Sequence, residues 1–137
     1  MSAPSSTAPV VVGFVPSPQG RAALEHGIEE ARLRGTGLLV VNSAGSDGFA
    51  DAKRVGEEDV ADLRTQLDAS GVHYEIRELG SEHSPSEQLV TAAEEAGAAL
   101  LVIGIRQRSA VGKLIMGSNA QRILLDATVP VLAVKAR

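Results

Sequence analysis

The chain has 137 residues, a formal net charge of -4 and a hydrophobic content of 44%. This length and apolar content suffice for one buried core and are too small for two ordinary domains. Aromatic residues make up only 2% and tryptophan is absent, which excludes single-stranded nucleic-acid binding by rows of stacked rings. The chain contains no cysteine, which excludes disulfides, thiolate chemistry and cysteine-ligated metals and fits a reducing compartment.

The N-terminal segment predicts neither a leader nor a membrane anchor. Residues 1–8 are small, polar and proline-containing, so we expect a flexible tail followed by one domain over residues 9–137. No apolar run approaches the roughly 20 residues that span a bilayer. We therefore expect a cytoplasmic protein that binds no membrane and, because its net charge is negative, no nucleic acid.

Five strands are predicted, four from continuous apolar runs and one from an alternating pattern. A continuous aliphatic run indicates a strand buried on both faces, whereas alternation of polar and apolar residues indicates a half-exposed strand. The predicted strands, in chain order, are Val10–Phe14, Leu38–Val41, Val72–Arg77, Leu100–Ile103 and Val131–Val134. Only the third of them alternates, so we place it at an edge of the sheet.

Four helical patterns separate these strands. Two of them begin with a serine cap followed by proline, and glycines stand where three of them should end. The predicted helices cover residues 18–34, a weaker pattern over 60–67 that ends before Gly71, residues 85–96 and residues 118–127. Strict alternation of strand and helix predicts an α/β fold with a parallel sheet, in which ligands bind outside the carboxyl ends of the strands.

The stretch from Gly104 to Asn119 has the features of an anion site. It follows the carboxyl end of the fourth predicted strand, contains three cations and reaches a helix start at Ser118. The cations are Arg106, Arg108 and Lys113. A helix N-terminus carries unpaired amides and partial positive charge, and glycine lets a backbone turn or approach a ligand closely. We predict that Arg106, Arg108 and the amides of residues 117–119 bind phosphate.

Simpler interpretations of the same residues stay open. The three cations equally fit a solvated loop, and Gly117 with Ser118 and Gln121 equally fits a helix cap of the capping-box type. Lys113 is not a Walker lysine, because the upstream glycine spacing fails. The three histidines show no ligand-like spacing and no nucleophile is paired with a base, so we predict neither a metal site nor a catalytic site.

These motifs together resemble the universal stress protein family. The fourth strand ends in VIG, Gly117–Ser118 closes the following segment, and a helix then leads to VPVLAVK. The resemblance spans roughly Pro9 to Lys135 and includes an opening motif of Gly13, Ser17, Pro18, Ala23 and Leu24. It implies a three-layer α/β sandwich of the adenine nucleotide alpha hydrolase-like type with a five-stranded parallel sheet of order 3-2-1-4-5, which in many members binds a nucleotide between strands one and four.

The chain departs from the ATP-binding members of that family at two positions. Gln107 stands where those members have a glycine, and Val15 stands where they have an aspartate that holds the ribose. The anion site and the resemblance together give the predicted ligand-contact residues, which are Phe14, Val15, Ser43, Gly104, Arg106, Gln107, Arg108, Gly117, Ser118 and Asn119. The implied ligand is ATP, ADP or AMP, without a predicted metal. Losing one hydrogen bond costs about 1 kcal/mol and leaving its partner unsatisfied costs about 1–3 kcal/mol, so we expect the two departures to weaken binding by roughly one or two decades.

Three functions follow as hypotheses. The first is a cytoplasmic stress-response protein that binds an adenine nucleotide and signals through its occupancy or through a homodimer formed by the apolar edge Val131–Val134. The alternative is a family member without nucleotide binding that acts as a dimeric protein-interaction module. A slow ATPase or phosphotransferase ranks last, because residues 104–117 contain no carboxylate to hold Mg²⁺ or position water.

Overall fold

A computed structural model describes residues 8–42, 57–79, 84–105 and 117–136. Strands and helices alternate through these segments, as the sequence predicted. Strands β1 to β5 span Val10–Phe14, Leu38–Asn42, Tyr74–Glu78, Leu100–Ile105 and Val131–Lys135. Helices α1 to α4 span Pro18–Arg34, Glu57–Ser70, Pro85–Glu95 and Ser118–Asp126. Of these four helices, none is long and apolar enough to cross a membrane.

All five strands are parallel and form one sheet in the order β3-β2-β1-β4-β5, which confirms the order that the resemblance implied. The alternating strand β3 lies at one edge and β5 at the other. The two strands at the centre, β1 and β4, run side by side with Val10 opposite Leu100. Their carboxyl ends therefore lie side by side in the middle of the sheet, at the end where all five strands terminate.

Two apolar clusters cover the two faces of the sheet. Alternate residues of β1 point to opposite faces, so Val10 and Val12 belong to one cluster and Val11 to the other. Leucines of α1 and α2 pack in the first cluster, whereas Leu89 of α3 and Ile123 of α4 pack in the second. The fold is therefore a three-layer sandwich, as predicted.

Local signals set the helix boundaries. The Ser17 side chain accepts a hydrogen bond from the Gly20 amide at 3.0 Å, and the Ser84 side chain accepts one from the Glu87 amide at 3.3 Å. Glycines at positions 35, 71 and 97 all have positive φ, the conformation that ends a helix at low cost. The sequence thus predicted the serine caps that begin α1 and α3 and the glycines that follow their ends.

Two strand boundaries differ from the predicted ones by two residues, and the ends of β2, β3 and β5 each lie one residue beyond the predicted ends. Strand β4 continues through Gly104 to Ile105 instead of ending at Ile103, because Ile105 is buried and extends the pairing with β5. Strand β3 begins at Tyr74 instead of Val72. The Ser70 hydroxyl accepts a hydrogen bond from the Val72 amide at 3.1 Å, which holds Val72 in the turn after α2.

Side chains at the ends of α1 and α2 fix the β3 edge. The Tyr74 hydroxyl donates to the Asp68 carboxylate at 2.6 Å, and this bond raises the pKa of Tyr74. Arg32 of α1 donates to the Ser70 carbonyl at 2.9 Å. Helix α2 is therefore tied both to its own following strand and to α1.

Helix α4 is less buried than its sequence predicted. The apolar residues that predict this helix are Ala120, Ile123, Leu124 and Ala127, which places Leu124 on its apolar stripe. Leu124 is nevertheless 40% exposed, and its neighbour Leu125 is 83% exposed. Ile123 is the buried residue of this helix. The stripe prediction was wrong for Leu124 because α4 leads to the outermost strand β5, beyond which no further strand or helix of the described chain lies.

Candidate functional site

The carboxyl ends of β1 and β4 form a crevice at the centre of the sheet. Strand β1 leads into α1 on one face, whereas β4 leads toward α4 on the opposite face. Ligands of open parallel sheets bind where neighbouring strands diverge in this way. Three of the predicted site residues, Phe14, Val15 and Gly104, lie in or directly after the last residues of these two strands.

The β1 side of the crevice offers apolar surface and backbone. Phe14 ends β1 and is 5% exposed, and Val15 directly after it is also buried. Neither side chain contains a polar atom. The Val15 carbonyl accepts a hydrogen bond from the Ser17 amide at 2.8 Å and lies against Gly20, where a Cβ atom would collide with it.

Gly104 is a point of close contact between α1 and β4. A Cβ atom at this position would collide with the Gln19 carbonyl and lie 3.0 Å from the Gln19 Cβ atom. Of the two predicted roles of Gly104, turning the chain or approaching a ligand closely, the turn is wrong, since Gly104 pairs with Val134 inside the β4–β5 ladder. The first turn of α1 therefore lies across the end of β4. It connects the β1 side of the predicted site with the β4 side.

The N-terminus of α4 carries no side-chain cap. Gly117 occupies the capping position with extended backbone (φ -67, ψ 162) and, as a glycine, supplies no side-chain cap. The predicted capping box of Ser118 with Gln121 is wrong, because Ser118 is already the first helical residue and the residue before it has no side chain. Gly117 and Ser118 are both exposed, so this helix end is accessible from solvent.

The cationic part of the predicted site lies outside the described residues. Arg106, Gln107, Arg108 and Lys113 fall between β4 and α4, and Ser43 falls directly after β2. Their contribution stays a prediction. Among the residues that are described, no group of three His, Cys, Asp or Glu side chains could hold a metal ion.

Sequence reasoning missed two polar residues beside the crevice. Asn42 ends β2 opposite Phe14 and is only 3% exposed. An amide that closes an otherwise apolar buried run was a usable signal, because buried polar groups are held by hydrogen bonds and fix local geometry. The second residue is Gln19, which contacts Gly104 from the first turn of α1 and belongs to no motif.

Comparison with models of protein families shows which family the chain matches. The model of the universal stress protein family matches residues 7–135, nearly the full chain. The chain belongs to the universal stress protein family. The match spans the strands, the helices and both halves of the crevice.

Universal stress proteins of known sequence or structure are similar over most of their length. One from Mycolicibacterium smegmatis is 51% identical over 127 residues, which cover 92% of this chain and 96% of that protein. The structure of one from Archaeoglobus fulgidus is 34% identical with a TM-score of 0.70, covering 94% of this chain and 99% of that chain. A structure of the universal stress protein from Archaeoglobus fulgidus in complex with dAMP is 29% identical with a TM-score of 0.65. The match covers 94% of this chain and 98% of that chain.

Proposed function

We propose that this universal stress protein binds an adenine nucleotide, or another phosphate-bearing ligand, in the crevice between β1 and β4. The observation that carries the proposal is the exposed, uncapped start of α4 at the carboxyl edge of the sheet. The partial positive charge of a helix N-terminus favours phosphate. The similar Archaeoglobus fulgidus protein in complex with dAMP supports an adenine nucleotide as the ligand class.

In this proposal the two faces of the crevice hold different parts of the ligand. Phosphate contacts the amides of Gly117, Ser118 and Asn119 together with the guanidinium groups of Arg106 and Arg108. The base lies toward the ends of β1 and β2, against apolar Phe14 and Val15 and near Ser43, and Gln107 stands in the loop over the phosphates. Ligand occupancy, or a homodimer formed through β5, then serves a stress-response or regulatory role in the cytoplasm.

Thermal unfolding with ATP, ADP, AMP or inorganic phosphate tests the proposal. A ligand that binds the folded state raises the melting temperature, and the rise should shrink as salt screens the arginines. The double variant Arg106→Ala, Arg108→Ala should lose the shift and stay folded. The matched control is Arg32→Ala, Arg34→Ala, which removes the same charge from exposed positions at the opposite end of α1 and should keep the shift.

The second candidate function is an interaction module without nucleotide. Buried Val15, which offers no hydrogen-bonding atom to a ribose, is the observation that favours it. The double variant Val15→Asp, Gln107→Gly restores the residues of the ATP-binding members and should strengthen ATP binding if the rest of the crevice is intact. Absence of binding by both the wild type and this variant would reject the nucleotide proposal and leave the interaction module.

A further inference from the structure

Gln19 lies at the mouth of the crevice on the α1 side. It is the second residue of α1, and its backbone carbonyl and Cβ atom contact Gly104 at the end of β4. Helix α1 begins at the carboxyl edge of the sheet and runs away from it, and helical side chains tilt toward the N-terminus of their helix. The Gln19 side chain is therefore directed back toward the crevice.

The Gln19 amide is available to a ligand. The residue is half-buried, and its side chain makes no hydrogen bond within the described chain. It offers one acceptor oxygen and two N–H donors. The neighbouring polar side chain, Ser17, already accepts a hydrogen bond from the Gly20 amide, and the Val15 side chain has no polar atom to offer.

We propose that the Gln19 side-chain oxygen accepts a hydrogen bond from a sugar hydroxyl of the bound nucleotide. This inference rests on the proposed function. In the proposed binding mode the phosphate lies at the start of α4 and the base lies toward β2. The sugar that joins them therefore lies over the carboxyl ends of β1 and β4. Gln19 reaches that crossing from Gly104, and it supplies there the acceptor that Val15 lacks.

Calorimetric titration with ATP and with 2′,3′-dideoxy-ATP tests this contact, because the two ligands differ only in the sugar hydroxyls. The wild type should prefer ATP by about fivefold, the equivalent of one hydrogen bond. Gln19→Ala keeps the Cβ atom that packs beside Gly104, and Gln19→Met keeps most of the side-chain volume. Both variants should bind ATP about fivefold more weakly and dideoxy-ATP unchanged.

A matched variant separates this contact from a general effect of removing an amide. Gln88→Ala truncates a glutamine in the first turns of α3, beside Arg77 and Glu78 at the β3 edge, and should change neither affinity. A preference for ATP that survives in Gln19→Ala and Gln19→Met, or an equal loss for both ligands, would overturn the role of Gln19 with nucleotide binding intact. A wild type that binds neither ligand would overturn the role of Gln19 together with the adenine nucleotide as the proposed ligand.

Discussion

Two glycines allow α1 to cross the sheet at the candidate site. Gly20 lies against the Val15 carbonyl and Gly104 against the Gln19 carbonyl, and in both cases the obstacle to a side chain is backbone. A backbone obstacle cannot rotate away as the end of a flexible side chain can. The glycine that the motif assigned to ligand contact therefore also determines how closely helix and sheet pack.

The first residue-scale prediction concerns Gly104→Ala. The added methyl group meets the Gln19 backbone, so we expect a loss of about 1–3 kcal/mol in the free energy of unfolding, as in other overpacked sites. Urea denaturation without ligand measures it. Gly117→Ala is the matched control, because no heavy atom lies within 4 Å of its Cβ position and its φ is -67. It should lose only about 0.5 kcal/mol, the difference between glycine and alanine at a helix capping position. A Gly104→Ala variant as stable as the wild type would show that α1 can move off β4.

At the scale of elements, the helices differ in how their N-termini are satisfied. Serine side chains cap α1 and α3, whereas α4 begins at a glycine that offers none. A side-chain cap occupies the amides that an anion would otherwise contact. The sequence alone did not show which of α1, α3 and α4 has a side-chain cap, because a serine stands at the start of each.

Serine-to-alanine substitutions distinguish these helix starts. Ser17→Ala should destabilise the fold by about 1 kcal/mol, because it removes the acceptor for the Gly20 amide. Ser118→Ala should leave stability within about 0.5 kcal/mol, since Ser118 makes no capping bond. Chemical denaturation of both variants in phosphate-free buffer gives the comparison. Equal losses in the two variants would mean that Ser118 does cap α4.

The sequence predicted elements best where the signals are local. Helix α1 has the bounds that were predicted, because its cap, its proline and its terminal glycine all lie within or beside it. The end of β4 depends on its pairing with β5, thirty residues later in the chain, and was misplaced by two residues. The strand order came from resemblance to a family, since periodicity shows which residues are buried but not which strands are neighbours.

The sequence likewise predicted some residues of the candidate site and missed others. Glycine and serine positions followed from motif spacing, and the structure places Gly104 and Gly117 at the ends of the elements that flank the crevice. Gln19 could not be found by spacing, because its position beside Gly104 arises only when α1 folds back across β4. Tertiary contacts between separate elements leave no local pattern in a sequence.

At the scale of the whole molecule, the two edges of the sheet differ. Strand β5 presents Val131, Leu132 and Ala133, which are half-buried and apolar. Strand β3 presents the exposed charged residues Glu75, Arg77 and Glu78. Charged residues on an edge strand oppose pairing with another chain, whereas an apolar free edge favours it. We therefore expect association through β5.

Light scattering should give twice the chain mass of 14.2 kDa at tens of micromolar protein. Leu132→Lys should give the single mass, because it places a charge on the associating edge. Ile76→Lys is the matched control: Ile76 lies in the other edge strand and packs, like Leu132, against the same apolar cluster. It should leave the mass doubled. A monomeric wild type, or a doubled mass in Leu132→Lys, would contradict association through β5.

The charged β3 edge also limits how far association can proceed. Two copies that join through β5 are related by a twofold axis, and each then presents only its β3 edge at the outer margins of the joined sheet. The ion pair between Arg77 and Glu75, 3.3 Å apart, and the neighbouring Glu78 carboxylate stand on that margin. A third copy would find no complementary edge in such a dimer, so we expect growth to end at two copies and the sheet not to extend into a filament as concentration rises.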